Sequence, residues 1–218
     1  MEKEWNEPYR VIIKEGEGTI IEKKSRFIAT VRKVESQEEA TSFIEEMKKK
    51  YWNASHNCWA FVVGERGELQ RCSDDGEPSN TAGRPMLEVL LGEGIRNVAV
   101  VVTRYFGGVL LGTGGLVRAY TQAVKAGLSE CETGIMRAGV RVVIETDYNS
   151  IGKILYQLSS RNIETEESIY TDIVTLVLLF PAEWKEAIFE EITEVTAGKA
   201  KIEVREEIPF VDKDPIRG

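Results

Sequence analysis

The stretch Val98-Ala-Val-Val-Val-Thr-Arg-Tyr-Phe-Gly-Gly-Val-Leu-Leu-Gly-Thr-Gly-Gly-Leu-Val-Arg118 has three parts. Val98–Val102 is an apolar run of the kind that forms a buried strand. Five of the nine residues from Gly107 to Gly115 are glycine. Beyond them Leu116, Val117, Tyr120, Ala123, Val124 and Leu128 recur at helical spacing. A glycine-dense turn from strand to helix frees backbone N–H groups to converge near the positive end of the helix dipole, which is how an anion is held. Arg104 and Arg118 flank the turn with fixed charge and bidentate donors for phosphate or carboxylate. The same glycines also read as a turn that needs positive φ and close helix–strand packing, and both readings stay open here. Two nucleotide motifs are excluded. Gly107 to Gly112 has Walker A spacing, but Thr113 occupies the lysine position, and Val117 stands where a dinucleotide fingerprint needs its third glycine.

Upstream, the pattern predicts strands at Arg10–Lys14, Gly18–Glu22 and Arg26–Val34. Ser36 and Glu39 form a capping box, after which Ala40, Phe43, Ile44, Met47 and Tyr51 share one helical face. His56–Gly64 and Glu68–Ser73 read as a hairpin around Glu65-Arg66-Gly67. The polar loop Asp74-Asp75-Gly76-Glu77-Pro78-Ser79-Asn80 leads to a short helix starting near Thr81 or Ala82, with Pro85 in its first turn.

Downstream, Val140–Thr146 predicts a strand and Ile151–Leu158 a helix, followed by strands at Ile163–Tyr170 and Ile173–Phe180. A second helix runs from Pro181 through Trp184 to Val195, closed by Ala197-Gly198, and Lys199–Glu206 is the last strand. The order β-α-β-β-α-β is the split-βαβ, ferredoxin-like signature. The expected fold class is therefore α+β in two domains, residues 1–135 and 136–208, with the junction in Glu132–Ala138 and a loose tail at 209–218.

Composition narrows the function classes. The chain has 218 residues, is 42% hydrophobic and carries a net charge of −8, which argues against bulk electrostatic coating of nucleic acid. Residues 1–135 carry 18 Lys+Arg against 20 Asp+Glu, and residues 136–218 carry 10 against 16, so a basic surface fits only the first domain. No apolar stretch has membrane-spanning length. The acidic start Met-Glu-Lys-Glu-Trp-Asn-Glu-Pro and three widely spaced cysteines lead us to expect a cytoplasmic protein with reduced thiols. One histidine and no Cys-x-x-Cys pair lead us to expect no metal and no other cofactor.

Each remaining constellation has two readings. Asp74, Asp75 and Glu77 around Gly76 resemble half a cation loop, but the distant closing glutamate is missing, so a solvated turn is expected, with Thr81 capping the helix. His56 and Cys58 are two apart on a strand and share a face. They read either as a thiol–imidazole pair or as a buried thiol beside a histidine bonded to the Asp74–Thr81 loop. Lys23, Lys24 and Arg26 form a compact basic cluster, and with Arg71, Arg84, Arg104 and Arg118 they could make a phosphate-facing patch. Tyr105 or Phe106 is then available for stacking. Lys48-Lys49-Lys50 reads as a dipole partner at a helix C-terminus.

Taken in order, Lys24-Ser25-Arg26-Phe27-Ile28, His56-Asn57-Cys58-Trp59-Ala60, Asp74-Asp75-Gly76-Glu77-Pro78 with Thr81-Ala82-Gly83, and Arg104-Tyr105-Phe106-Gly107-Gly108 with Gly112-Thr113-Gly114-Gly115 resemble the IMPACT/YigZ family over about residues 15–130. The second segment resembles the C-terminal domain of its bacterial members. The resemblance implies an N-terminal α+β domain like those of ribosomal proteins and elongation factors, and a C-terminal domain similar to that of elongation factor G. It also implies nucleic-acid or ribosome association without an established reaction. Eukaryotic IMPACT proteins act in translational control partly through an RWD domain with no counterpart in this sequence, so that role is not carried over.

Two functions follow as expectations. The first is a non-enzymatic, translation-associated protein that binds RNA or ribosomal components through Lys23, Lys24, Arg26, Arg84, Arg104, Gly107, Gly108, Gly112, Thr113, Gly114, Gly115 and Arg118. The second is an enzyme or sensor for a small phosphorylated or carboxylated ligand at the same turn, with His56, Asp74, Asp75, Glu77 and Thr81 as its polar site. An interaction-only protein would instead present Trp5 or Trp184 in a surface patch. The sequence leaves oligomeric state open.

Overall fold

The computed structural model describes residues 7–213. Contacts divide the chain into two compact units, essentially Tyr9–Ile135 and Met136–Asp212. The protein is thus α+β in two parts, and the division falls inside a strand rather than in a linker.

The first unit is built on an antiparallel sheet of order β2-β3-β6-β4-β5. Its strands are β2 (Gly16–Glu22), β3 (Ser25–Lys33), β4 (His56–Val63), β5 (Leu69–Ser73) and β6 (Val98–Tyr105). The shorter β1 (Tyr9–Lys14) bridges Ile95 through Arg10. The apolar run selects β6 as the central strand, because it is buried on both faces. Val98, Val100 and Val102 join a core with Met86 and Leu90 of α2 (Gly83–Gly92) and with Tyr120 and Val124 of α3 (Thr113–Ser129). Ala99 and Val101 face the opposite core, made with Phe43, Ile44 and Met47 of α1 (Gln37–Lys50). Strand period two thus assigns alternate residues of one run to two helical layers.

Ser36 caps α1 by accepting the Glu39 amide at 3.1 Å, while the Glu39 carboxylate reaches back to the Glu35 amide at 2.8 Å. Three lysines, Lys48 to Lys50, end that helix, as the dipole favours. α3 lies close on β2 and β3: a Cβ on Gly18 would come within 2.3 Å of the Ala126 backbone.

The second unit has strand order β10-β7-β9-β8. These are β7 (Glu132–Thr146), β8 (Thr165–Tyr170), β9 (Val174–Pro181) and β10 (Lys201–Lys213), with α4 (Ile151–Ser160) and α5 (Lys185–Val195) between them. In chain order of these strands it is fourth, first, third, second, the arrangement expected of the βαββαβ pattern. Val140, Val142, Ile144, Leu176, Leu178 and Phe180 pack one face against Ile154, Leu158, Ile188 and Ile192 of the helices. Arg141 carries ion pairs to Glu166, at 2.7 Å, and to Glu206.

The expected junction at Glu132–Ala138 contains the division between the units and lies within β7. Three other points differ from the sequence reading. β10 runs on to Lys213, five residues into the expected tail. Trp184 sits in a 3-10 turn before α5 and packs against the core of its unit. Thr81 donates to the Pro78 carbonyl at 2.7 Å, so α2 is capped by another residue. Residues 214–218 and Trp5 lie outside the described residues.

Candidate functional site

Arg104 continues the Val98, Val100, Val102 row of β6, so alternation carries it beneath α3 rather than out to solvent. Its side chain is 6% exposed and meets Glu77, 3% exposed, with Nη1 donating to Oε1 at 2.6 Å. Tyr120 of α3 donates to the same oxygen at 2.8 Å. Nη2 of Arg104 donates to the buried Ser25 hydroxyl at 3.4 Å, and the guanidinium lies over the rings of Phe27 and Phe106. Its Nε is buried without a hydrogen-bond partner among the described residues.

The loop that supplies Glu77 is held by its own acids. Asp74 Oδ1 accepts the amides of Ala82 (3.0 Å) and Gly83 (2.8 Å), and its Oδ2 accepts that of Asn80 (2.8 Å). Asp74 therefore caps α2. Asp75 Oδ2 accepts the Asn57 amide at 2.7 Å, which ties the loop to β4, and its other oxygen pairs with Lys48. These carboxylates satisfy backbone donors, so the acids hold the loop in place while Gly76, Pro78, Ser79 and Asn80 stay exposed.

His56 and Cys58 do not form a pair. His56 Nδ1 lies 2.9 Å from the Asp75 carbonyl oxygen, and its Nε2 lies 3.9 Å from Glu77 Oε2. Cys58 Sγ donates to the Asp74 carbonyl at 2.9 Å and lies 3.2 Å from the Tyr120 hydroxyl. Burial pushes the Cys58 thiol well above its ordinary range, and the Tyr120 phenol likewise. A thiol held protonated in this way is a poor nucleophile.

The glycine turn closes over this network. Gly107 approaches the Lys23-Lys24 turn so closely that a Cβ would fall 2.1 Å from the Lys24 carbonyl carbon. Its amide donates to Ser25 Oγ at 3.1 Å. Gly112 enters α3 with φ of 72°, a left-handed value glycine adopts without strain, and no side chain caps the helix. Between loop and turn lies a cleft of about 460 Å³, lined by His56, Glu77, Arg104, Phe106, Leu110 and Thr113 among others. On the other flank of the turn, Lys23, Gly115 and Arg118 line a hollow of about 70 Å³.

The structure thus brings His56, Glu77, Arg104, Gly112 and Thr113 to one cleft, and Lys23, Gly115 and Arg118 to the adjacent hollow. Lys24 and Gly107 form the contact between turns, Gly108 is exposed on the turn, and Gly114 is exposed in the first turn of α3. Other candidates stand apart. Arg26 lies over Tyr105, 4.7 Å from the ring centre, and β-alternation puts it on the sheet face opposite Phe27 and α3. Arg84 is exposed on α2 and pairs with Glu88 at 3.0 Å. Arg104 is corrected from a surface charge to a buried ion-pair partner, Glu77 from a solvated acid to a buried one, and Thr81 from a helix cap to a loop tie. Tyr120 was legible only as a core position, although a tyrosine in a buried stripe brings a hydroxyl that needs a partner.

Comparison with known proteins now adds to this geometry. Residues 23–128 match the Impact N-terminal domain, and residues 144–199 match a domain of unknown function, DUF1949. The chain is 40% identical over 207 residues to the IMPACT family member YvyE of Bacillus subtilis, covering 94% of each. It is 37% identical over 168 residues to the IMPACT family member YigZ of Escherichia coli, covering 75% of this chain and 82% of that one. A crystal structure of a hypothetical protein superposes with a TM-score of 0.58 at 30% identity, covering 92% of this chain and 98% of that one. The cleft lies within the matched N-terminal domain, and the chain belongs to the IMPACT family.

Proposed function

We propose that this protein is a non-enzymatic, translation-associated regulator that holds RNA phosphates on the outer flank of the glycine turn. The observation that supports this reading is the clustering of unpaired charge there. Lys23, Lys24 and Arg118 are exposed and have no ion-pair partner among the described residues, and Lys23 and Arg118 share the hollow beside Gly115 with one acid, Glu22. The uncapped amides that open α3 add donors at the positive end of a 17-residue helix. Phosphate contacts of this kind position a protein on RNA without reading sequence. The link to translation comes from the family resemblance, and three cysteines joined by no disulfide, Cys58, Cys72 and Cys131, fit a cytoplasmic setting. No helix among the described residues is long and apolar enough to cross a membrane.

A second reading, a sensor for a small phosphorylated or carboxylated ligand, is favoured by the cleft itself. At about 460 Å³ it falls within the range of small-molecule sites, roughly 300–1,000 Å³. The buried thiol argues against covalent chemistry in that site. Titration of structured RNA and of ribosomal particles at graded salt separates the readings. The RNA reading expects binding that weakens steeply with salt and falls in Lys23→Ala and Arg118→Ala. Absence of binding at low salt removes it.

A further inference from the structure

The floor of the cleft holds two acceptors without a donor among the described residues. Glu77 Oε1 receives both Arg104 and Tyr120, whereas Oε2 receives no hydrogen bond, and the Glu77 side chain is only 3% exposed. His56 Nδ1, bonded to the Asp75 carbonyl oxygen, carries the hydrogen, which leaves Nε2 an acceptor in the neutral ring. The two face each other 3.9 Å apart, close enough for one group bearing two N–H bonds to reach both. Both residues line the cleft, which marks this pair of acceptors as the place where a donor would bind.

The rest of the cleft defines what carries that donor. Phe106 is 49% exposed and Leu110 83% exposed, so the rim presents an aromatic ring and an aliphatic wall to solvent. Leu111 and Leu116 continue the apolar lining, and Thr113 brings the uncapped start of α3 to the same cleft. An amino edge, a flat apolar body and an anionic end together describe a nucleotide.

We infer that the cleft seats one unpaired nucleotide whose base bears an exocyclic amino group (adenine, cytosine or guanine). The amino group lies between Glu77 Oε2 and His56 Nε2, the ring stacks on Phe106, and the phosphate faces the first amides of α3. Uracil has no amino group and turns carbonyl oxygens toward Glu77, so it is disfavoured. This inference rests on the RNA-binding reading and adds to it which part of the RNA is read. The nucleotide comes either from an RNA strand or from the free pool.

Calorimetric titration of the full-length protein tests it with AMP, CMP, GMP, UMP, inorganic phosphate, and single-stranded oligo-A, oligo-C and oligo-U. Each is repeated on Phe106→Ala, an exposed position, and on Glu77→Gln with folding checked by circular dichroism. The expected result is at least tenfold tighter binding of amino-bearing bases than of uracil, a tenfold loss in Phe106→Ala, and loss of base preference in Glu77→Gln. Binding of oligo-A without AMP assigns the site to the strand, and binding of both admits free nucleotides. Equal binding of UMP or oligo-U, or affinity unchanged in Phe106→Ala, overturns the inference. Salt-sensitive RNA binding that depends on Lys23 and Arg118 but not on base or Phe106 overturns it while the proposed function stands. Base-selective mononucleotide binding without RNA binding does the reverse.

Discussion

Replacing Arg104 by methionine keeps the stem that packs under α3 and removes the guanidinium. The Glu77 carboxylate, 3% exposed, then keeps one hydrogen-bond donor, the Tyr120 hydroxyl. Removing one partner of a buried pair costs about 3–5 kcal/mol, because the other charge stays desolvated and uncompensated. Lost contact with the rings of Phe27 and Phe106, now 5.4 and 5.5 Å from the guanidinium, belongs within that figure. Replacing both partners, as Arg104→Met with Glu77→Leu, removes the stranded charge. It should recover about 2 kcal/mol of the single-variant loss, within the coupling measured for contacting residues. Urea unfolding of the full chain, followed by tryptophan fluorescence with Trp52 and Trp59 in this unit, measures both effects. A loss below about 1 kcal/mol in Arg104→Met, the value of an exposed pair, would refute the reasoning and return Arg104 to the surface.

Asp74→Ala removes the acceptor for three backbone amides at the start of α2 and should cost about 2 kcal/mol in urea unfolding, with Asp74→Asn recovering part of it. An unchanged midpoint would show the loop held by something else. Gly114 is helical, and a Cβ there would come no nearer than 3.8 Å to Arg118 Nη1. Gly114→Ala should therefore raise stability by up to about 1 kcal/mol while weakening RNA binding at the turn; lower stability in thermal unfolding would contradict this. Burial first, then Glu15 and Glu130, pushes the Cys131 thiol up to about 11. Its folded-state value lies above the unfolded one, so its contribution is present below about pH 9 and lost as pH rises through about 11. Cys131→Ser should flatten that part of the alkaline stability curve, and superimposable curves for the two proteins would exclude the effect.

Much of the architecture was legible because it follows from local periodicity. The apolar run Val98–Val102 marked a buried strand, the stripe from Leu116 to Leu128 marked α3, and the βαββαβ order of the second unit followed from alternating patterns. What escaped was set by tertiary register. Arg104 is charged and flanks a glycine turn, so composition places it outside, yet it shares the parity of Val100 and Val102 and is buried. Glu77 sits in a loop of polar residues whose solvated reading is the ordinary one. Only its partner on a strand 27 residues away reverses that. Asp74 as the cap of α2 lies eight and nine residues before the amides it accepts, beyond the spacing of a local cap. The extension of β10 to Lys213 depends on pairing with β7, which no local pattern announces.

The central claim is that exposed charge at the turn, rather than the buried Arg104, holds RNA phosphate. The most direct test is the dependence of RNA affinity on salt for the wild-type protein and for the double variant Lys23→Ala with Arg118→Ala. Each phosphate contact contributes about 0.7–0.9 to the slope of log affinity against log salt, so the double variant should lose between one and two units of slope. No binding at low salt, or a slope unchanged by removing both charges, would contradict the account.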